Sequence, residues 1–195
     1  MIDLKKRPLS WSAISSFQYS KEQWYRKYIQ GITDPANSAM KFGKEWGERI
    51  ASDPSYMPEI PRHSVFEYKL EVALGGIPLI GYIDSYEPHT HLLEYKSHGK
   101  NGWTQKRVDE HGQIDMYVLM LHLLHGVQPK DLEIKLVAVQ TQENGDFSIS
   151  LSGTPPVIFE TKRTTKDILR FANIIKDTVS DMQSYSQFRL QSEKI

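Results

Sequence analysis

The stretch GYIDSYEPHTHLLEYKS, Gly81 to Ser97, decides the fold. It reads as two apolar strand segments, LIGYIDSY and LLEYKS, joined through Glu87 to Thr90, yet it carries Asp84, Glu94 and Lys96. Side chains alternate along a strand, so Glu94 and Lys96 share one face while Leu93 and Tyr95 share the other. A turn centred on His89 sets Asp84 opposite Glu94. Like charges facing each other destabilise a hairpin, and half-buried carboxylates add a desolvation cost. A divalent cation would compensate both, and carboxylate oxygens suit magnesium or manganese. The plainer reading puts Asp84 at a solvated strand end and makes Glu94 and Lys96 a surface pair. The apolar residues on both strands favour the cation site.

Working outward, strand signals run over 64–74, 77–86 and 92–97, with Gly75 and Gly76 turning the first pair. A helix is predicted over 103–125 with Gly126 behind it, and its run MYVLMLHLL is apolar nearly all round, as in a buried helix. Strands follow near 133–141, 147–151 and 157–160, then an amphipathic helix over 165–188. Before the strands, Ser10 caps a helix carrying Trp11, Ile14 and Phe17. Ser20 with Gln23 opens a second, with Trp24, Tyr25 and Tyr28 as its core face and Gly31 as its stop. A third helix over 37–52 aligns Ala39, Phe42, Gly43, Trp46, Gly47 and Ile50, and its two glycines suggest a closely packed neighbour. This order predicts an α/β fold, a mixed sheet flanked by helices, in one domain over 1–195.

The chain of 195 residues has no cysteine, which removes disulfides, thiolate metal sites and cysteine nucleophiles. Nothing approaches the ~20 apolar residues of a membrane span, and MIDLKKRPLSWS lacks the apolar core of a signal peptide, so a cytoplasmic location is expected. Lys plus Arg equals Asp plus Glu, at 24 each, so any nucleic acid must be met by locally sorted charge. The clusters are Lys5, Lys6 and Arg7; Arg26 and Lys27; Lys41 and Lys44; and Lys100, Lys106 and Arg107. Trp103, beside the last cluster, either stacks on an unpaired base or anchors the start of its helix.

Asp84 in GYID, Glu94-Tyr95-Lys96, and Gln113 with Tyr117 in HGQIDMY follow one another in an order and spacing that resembles the PD-(D/E)XK nuclease superfamily, in its RecB-like branch. The N-terminal LSWSAISSFQYSKEQWYRKYIQG is also similar to the opening helices of that branch. The resemblance implies a restriction-endonuclease-like core and a magnesium- or manganese-dependent deoxyribonuclease, with exonuclease activity favoured. It implies that Asp84, Glu94 and the Tyr95 main-chain carbonyl hold the metal and that Lys96 positions the nucleophile or neutralises phosphorane charge. Gln113 and Tyr117 would hold a coordinated water, the lysine or a backbone phosphate, and Lys100, Trp103, Lys106 and Arg107 would meet DNA. DNA ends or single strands are the expected partner, with a recombination or replication protein as a second.

The sequence departs from the pattern of the branch. Without cysteine there is no iron–sulfur cluster. The further metal ligand expected four residues after Gly43 is Gly47, which has no side chain, so Glu48, one position out of phase, is the candidate ligand there. Glu67 either faces the cleft or pairs along its strand. Two other readings compete: a cupin-like metal site using His89, His91, Glu94 and His98, and a binding module that keeps the nuclease fold without its chemistry.

Overall fold

Short polar caps start the first three helices. In the computed structural model, which describes residues 7–192, the Ser10 hydroxyl accepts the Ala13 N–H at 3.3 Å and opens α1 (Trp11–Tyr19). Ser20 accepts the Gln23 N–H at 3.3 Å and opens α2 (Lys21–Tyr28). Asn37 Oδ1 accepts the Met40 N–H at 2.8 Å and opens α3 (Ser38–Ser52). Each cap satisfies one of the donors that a helix N-terminus leaves free. Lys5 and Lys6 of the first basic cluster lie outside the described residues.

Strands β1 (Val65–Leu74) and β2 (Ile77–Glu87) join through Gly75 and Gly76 at φ +55° and +85°, the paired left-handed conformations of a two-residue hairpin. β3 (His91–His98) pairs antiparallel with the end of β2, with His89 at φ +66° in the turn between them. A crossover of α4 (Gln105–Asp109) and α5 (Gly112–His125) then returns the chain so that β4 (Glu133–Glu143) runs parallel to β3. Both β5 (Ile149–Leu151) and β6 (Val157–Thr161) lie antiparallel to β4. The long α6 (Thr165–Ser192) ends the described chain. This is the mixed α/β sheet flanked by helices that the element order predicts, six-stranded and ordered β1-β2-β3-β4, with β5 and β6 on β4.

On one face of the sheet, α1, α2, α5 and α6 bury Ile14, Phe17, Trp24, Ile83, Met116 and Ile175 among others. On the other, α3 presses Trp46 and Ile50 against Leu93, Tyr95, Val137 and Val139. Each fully buried side chain of this size contributes about 1.5–3 kcal/mol. Every residue of α5 from Ile114 to Leu121 is buried, as its all-round apolar pattern predicts. Its one buried charge, Asp115, is met by Arg163, which also donates to Thr161 Oγ1 at 2.7 Å and to the Val108 carbonyl at 3.1 Å. Among the described residues no helix is long and apolar enough to cross a membrane.

The single helix predicted over 103–125 is two. A Cβ on Gly112 would lie 2.2 Å from Trp11 Cη2, so the indole wedges into the chain where α4 stops and α5 begins. α4 is drawn toward β6 instead, since Thr161 Oγ1 donates to Asp109 at 2.8 Å and Gln105 donates to the Glu160 carbonyl at 2.8 Å. The predicted strand over 147–151 starts two residues late, because Phe147 takes φ +62° in the turn.

Candidate active site

The acidic hairpin is a place where the sheet is broken open. β1 and β2 keep one register from Val65↔Tyr86 to Leu74↔Ile77, but the pair Glu67 and Asp84 is missing from that ladder. β2 and β3 pair only from Glu87↔His91 to Ser85↔Leu93 and part at Asp84 and Glu94. Asp84 Oδ2 instead accepts the Tyr95 N–H at 2.7 Å. Where a backbone carbonyl would end the ladder, a carboxylate does so, and the strands splay.

Beside the gap, Glu94 and Lys96 point from β3 toward α5, as strand alternation predicts. Glu94 is 0% exposed, and the Lys96 ammonium stands 2.5 Å from its Oε1. Neither Glu94 oxygen makes a hydrogen bond of good geometry. Lys96 Nζ donates to Gln113 Oε1 at 2.9 Å, and Gln113 Nε2 donates to the Tyr117 hydroxyl at 2.7 Å. That hydroxyl donates in turn to the Tyr82 carbonyl on β2. One turn of α5 therefore holds the lysine through a relay anchored in the sheet. Tyr117 reaches β2 because Gly81 has no side chain: a Cβ there would fall 2.8 Å from Tyr117 Cε1.

The charges are strongly perturbed. Burial, then the neighbouring Glu94, pushes the Asp84 carboxyl up to about 8. Burial likewise raises Glu94, and Lys96 only partly opposes it. Burial acts against the Lys96 charge, but Glu94 and Asp84 outweigh it and hold the ammonium above its ordinary value. Two buried carboxyls this close share a proton unless a cation joins them. Tyr117 is pushed well above its ordinary range, first by burial and then by Glu94. His111, which precedes α5, is held down to about 4 by burial and then by Lys96, Arg163 and Arg107, so it adds no charge beside the lysine.

A cleft of about 730 Å³ opens from this junction toward α3, lined by Gly43, Gly47, Glu48, Glu67, Asp84 and Lys96 among others. The two helix glycines differ. A Cβ on Gly43 would sit 3.3 Å from Ser97 Oγ, the close approach expected, but Gly47 has nothing within 4 Å and faces open cleft. The expectation that an element packs closely at Gly47 is corrected: its missing side chain leaves a gap. Glu48 lines the same cleft while pairing loosely with Lys44 at 3.8 Å. Glu67, left open by the sequence, also faces it, in a backbone conformation with φ +49°.

Asp84 and Glu94 offer only hard oxygen donors, and the buried Glu94 oxygens have the Lys96 ion pair but no hydrogen-bond partner of good geometry. That donor set fits magnesium or manganese held by two carboxylates and waters. Among the described residues no three His, Cys, Asp or Glu side chains stand close enough to cage a metal ion unaided. The cupin-like grouping does not form. His91 turns to Glu133 at 3.4 Å and to the His63 ring at 4.9 Å, His89 packs near His125, and His98 bonds the Gly99 carbonyl.

The outer candidates lie on the loop after β3 and on α4. Trp103 packs on the core with the Arg107 guanidinium 4.9 Å over its ring and His111 edge-on at 4.9 Å. That is the anchoring arrangement, with Arg107 lying over one face of the indole. Lys106 is exposed and 4.0 Å from Glu110, and Lys100 is exposed beyond β3. Sequence reasoning passed over Gly81 and His111. The glycine was legible as the first letter of GYID, whereas the histidine's place between Trp11 and Trp103 is tertiary.

A sequence profile described as the PD-(D/E)XK nuclease superfamily matches residues 44–194. Comparison with curated protein sequences finds no significant match. Among solved structures, a presumed exonuclease from Eubacterium rectale superposes with a TM-score of 0.65 at 12% identity, covering 95% of this chain and 84% of its own. An alkaline exonuclease from Laribacter hongkongensis superposes with a TM-score of 0.53 at 15% identity, covering 96% and 94%. The same enzyme in complex with dAMP gives 0.54 at 14% identity and the same coverage. With the profile spanning most of the chain and the fold shared with these structures, the protein belongs to the PD-(D/E)XK nuclease superfamily.

Proposed function

We propose that this chain is a single-domain, magnesium- or manganese-dependent deoxyribonuclease that degrades DNA from its ends in the cytoplasm. The observation that supports it is the splayed junction, where Asp84, Glu94 and Lys96 meet at an open cleft with Gln113 and Tyr117 behind the lysine. A binding-only protein has no chemical use for two neighbouring buried carboxyls, both held above the ordinary carboxylate range chiefly by burial. Asp84, Glu94 and the Tyr95 carbonyl would hold the cation, with Glu48 on the α3 wall of the same cleft acting through the ion's waters. When bound, such an ion lowers the pKa of water and polarises a phosphate.

The other roles belong to the chain itself. Lys96, kept charged by its acidic neighbours, offers an ammonium to the negative charge that gathers on the phosphate oxygens. Gln113 fixes the direction of that ammonium, and Tyr117, held neutral, fixes Gln113. Lys100, Lys106 and Arg107 would contact the DNA backbone, with Trp103 supporting the arginine rather than a base. A structural neighbour solved with dAMP supports DNA as the substrate class, and the exonuclease names of the neighbours support attack from ends. Repair, recombination or replication proteins are the natural partners of such an activity.

The test is cleavage of end-labelled linear DNA and of closed circular DNA with magnesium, with manganese and with chelator. Nucleotides should be released from linear DNA alone, only with a cation, and not by Asp84→Ala or Glu94→Ala. Binding of DNA without cleavage under any of these conditions would establish the binding module instead.

A further inference from the structure

We propose that Glu67 is a positioning residue for this site, holding the water shell of a divalent cation bound by Asp84 and Glu94. The inference rests on the nuclease reading above and adds a residue to it. Glu67 stands where glycine or asparagine would be the easy choice, at φ +49° inside a ten-residue strand. No residue is inserted there, because β1 and β2 keep the same register on both sides. The strand changes phase instead. Phe66 points to the α3 core and Tyr68 to the α5 core, although residues two apart in a regular strand share a face. β2 changes phase at the facing position, since Ile83 and Tyr86 both point to the α5 core. The double twist turns the Glu67 carboxylate, opposite Asp84, into the cleft.

Among the described residues no hydrogen bond or ion pair answers that charge. Lys69, two residues on, pairs with Glu71 at 2.9 Å, and Lys44 with Glu48. Burial, then Asp84 and Glu48, raise the Glu67 carboxyl. A separate observation points to a cation at the same place: both oxygens of Glu94 are buried and, apart from the ion pair of Oε1 with Lys96, neither has a hydrogen-bond partner. Because among the described residues no three acidic side chains are close enough to cage an ion directly, Glu67 acts on the ion's waters. Groups that orient a metal's inner ligands are typically worth about 10–100-fold in affinity.

The experiment measures manganese binding to the metal-free whole chain by calorimetry, and thermal melting without metal, for wild type, Glu67→Gln, Glu67→Asp, Glu67→Gly and Asp84→Ala. Glu67→Gln should bind manganese about tenfold more weakly, melt no lower than wild type, and need correspondingly more cation for half-maximal cleavage. Glu67→Asp should recover part of the affinity. Glu67→Gly, which suits the positive φ, should melt higher while binding manganese as weakly as Glu67→Gln. If Asp84→Ala loses binding while Glu67→Gln and Glu67→Gly bind as wild type does, Glu67 has no such role and the nuclease reading stands. If wild type and Asp84→Ala bind manganese alike, the nuclease reading falls and the role of Glu67 with it.

Discussion

Asp84 Oδ2 accepts the Tyr95 N–H at 2.7 Å, so one carboxylate both closes the β2–β3 ladder and faces the cleft. The two jobs separate on substitution. Asp84→Asn keeps an oxygen to accept that N–H and replaces a carboxyl that must take up a proton to be buried beside Glu94. The metal-free protein should therefore melt higher, while cleavage falls by at least about 10²-fold. Asp84→Ala leaves the Tyr95 N–H unanswered, which costs about 1–3 kcal/mol and offsets the relief of that burial. Calorimetric melting with rate measurements distinguishes them; an asparagine variant less stable than the alanine one would refute the ladder role.

Stability should depend on pH in a direction unusual for a carboxylate. Asp84 keeps its proton in the folded, metal-free chain up to about 8, whereas in the unfolded chain it loses that proton around its ordinary value of 3.8. Between those values the folded state binds the extra proton, so stability from this group is full below about 4 and is lost as pH rises to about 8. A divalent cation competes with that proton. The rise in melting temperature on adding magnesium or manganese should thus grow from pH 6 to pH 8. A rise independent of pH would mean that the cation binds away from Asp84.

Much of this site was legible in the sequence because its parts are local. Strand alternation sets Glu94 and Lys96 on one face, and a four-residue helical step sets Gln113 above Tyr117, whatever the rest of the chain does. The tertiary parts were not legible. The break before Gly112 depends on Trp11, a hundred residues away in sequence, and the helical pattern ran through it unmarked. Helical spacing likewise made Gly43 and Gly47 look equivalent, although only Gly43 meets a neighbour. The phase change at Glu67 needs both β1 and β2, and neither strand alone announces it.

The relay behind Lys96 gives a third prediction. Tyr117→Phe removes the hydroxyl that joins the Gln113 amide to the Tyr82 carbonyl in a part-buried place. It should cost about 1–3 kcal/mol of stability and slow cleavage by loosening the lysine. Gln113→Ala spares the Tyr117–Tyr82 bond, so it should slow cleavage with a smaller loss of stability. Melting and turnover of the two variants check the order; Gln113→Ala with full activity would show that Lys96 needs no holding.

Gly81 gives the last. Its place in GYID follows from the ring that crosses it, since a Cβ would meet Tyr117 Cε1 at 2.8 Å and Cδ1 at 3.1 Å. That ring cannot retreat without releasing Gln113 and the Tyr82 carbonyl. Gly81→Ala should therefore cost about 1–3 kcal/mol through overpacking and slow cleavage, although residue 81 touches neither substrate nor cation. A double-mutant cycle isolates the cause. In a Tyr117→Ala background the space is vacant, and the added methyl should cost little, giving a coupling of about 1 kcal/mol or more. Equal costs in the two backgrounds would separate Gly81 from Tyr117 and leave the glycine without this explanation.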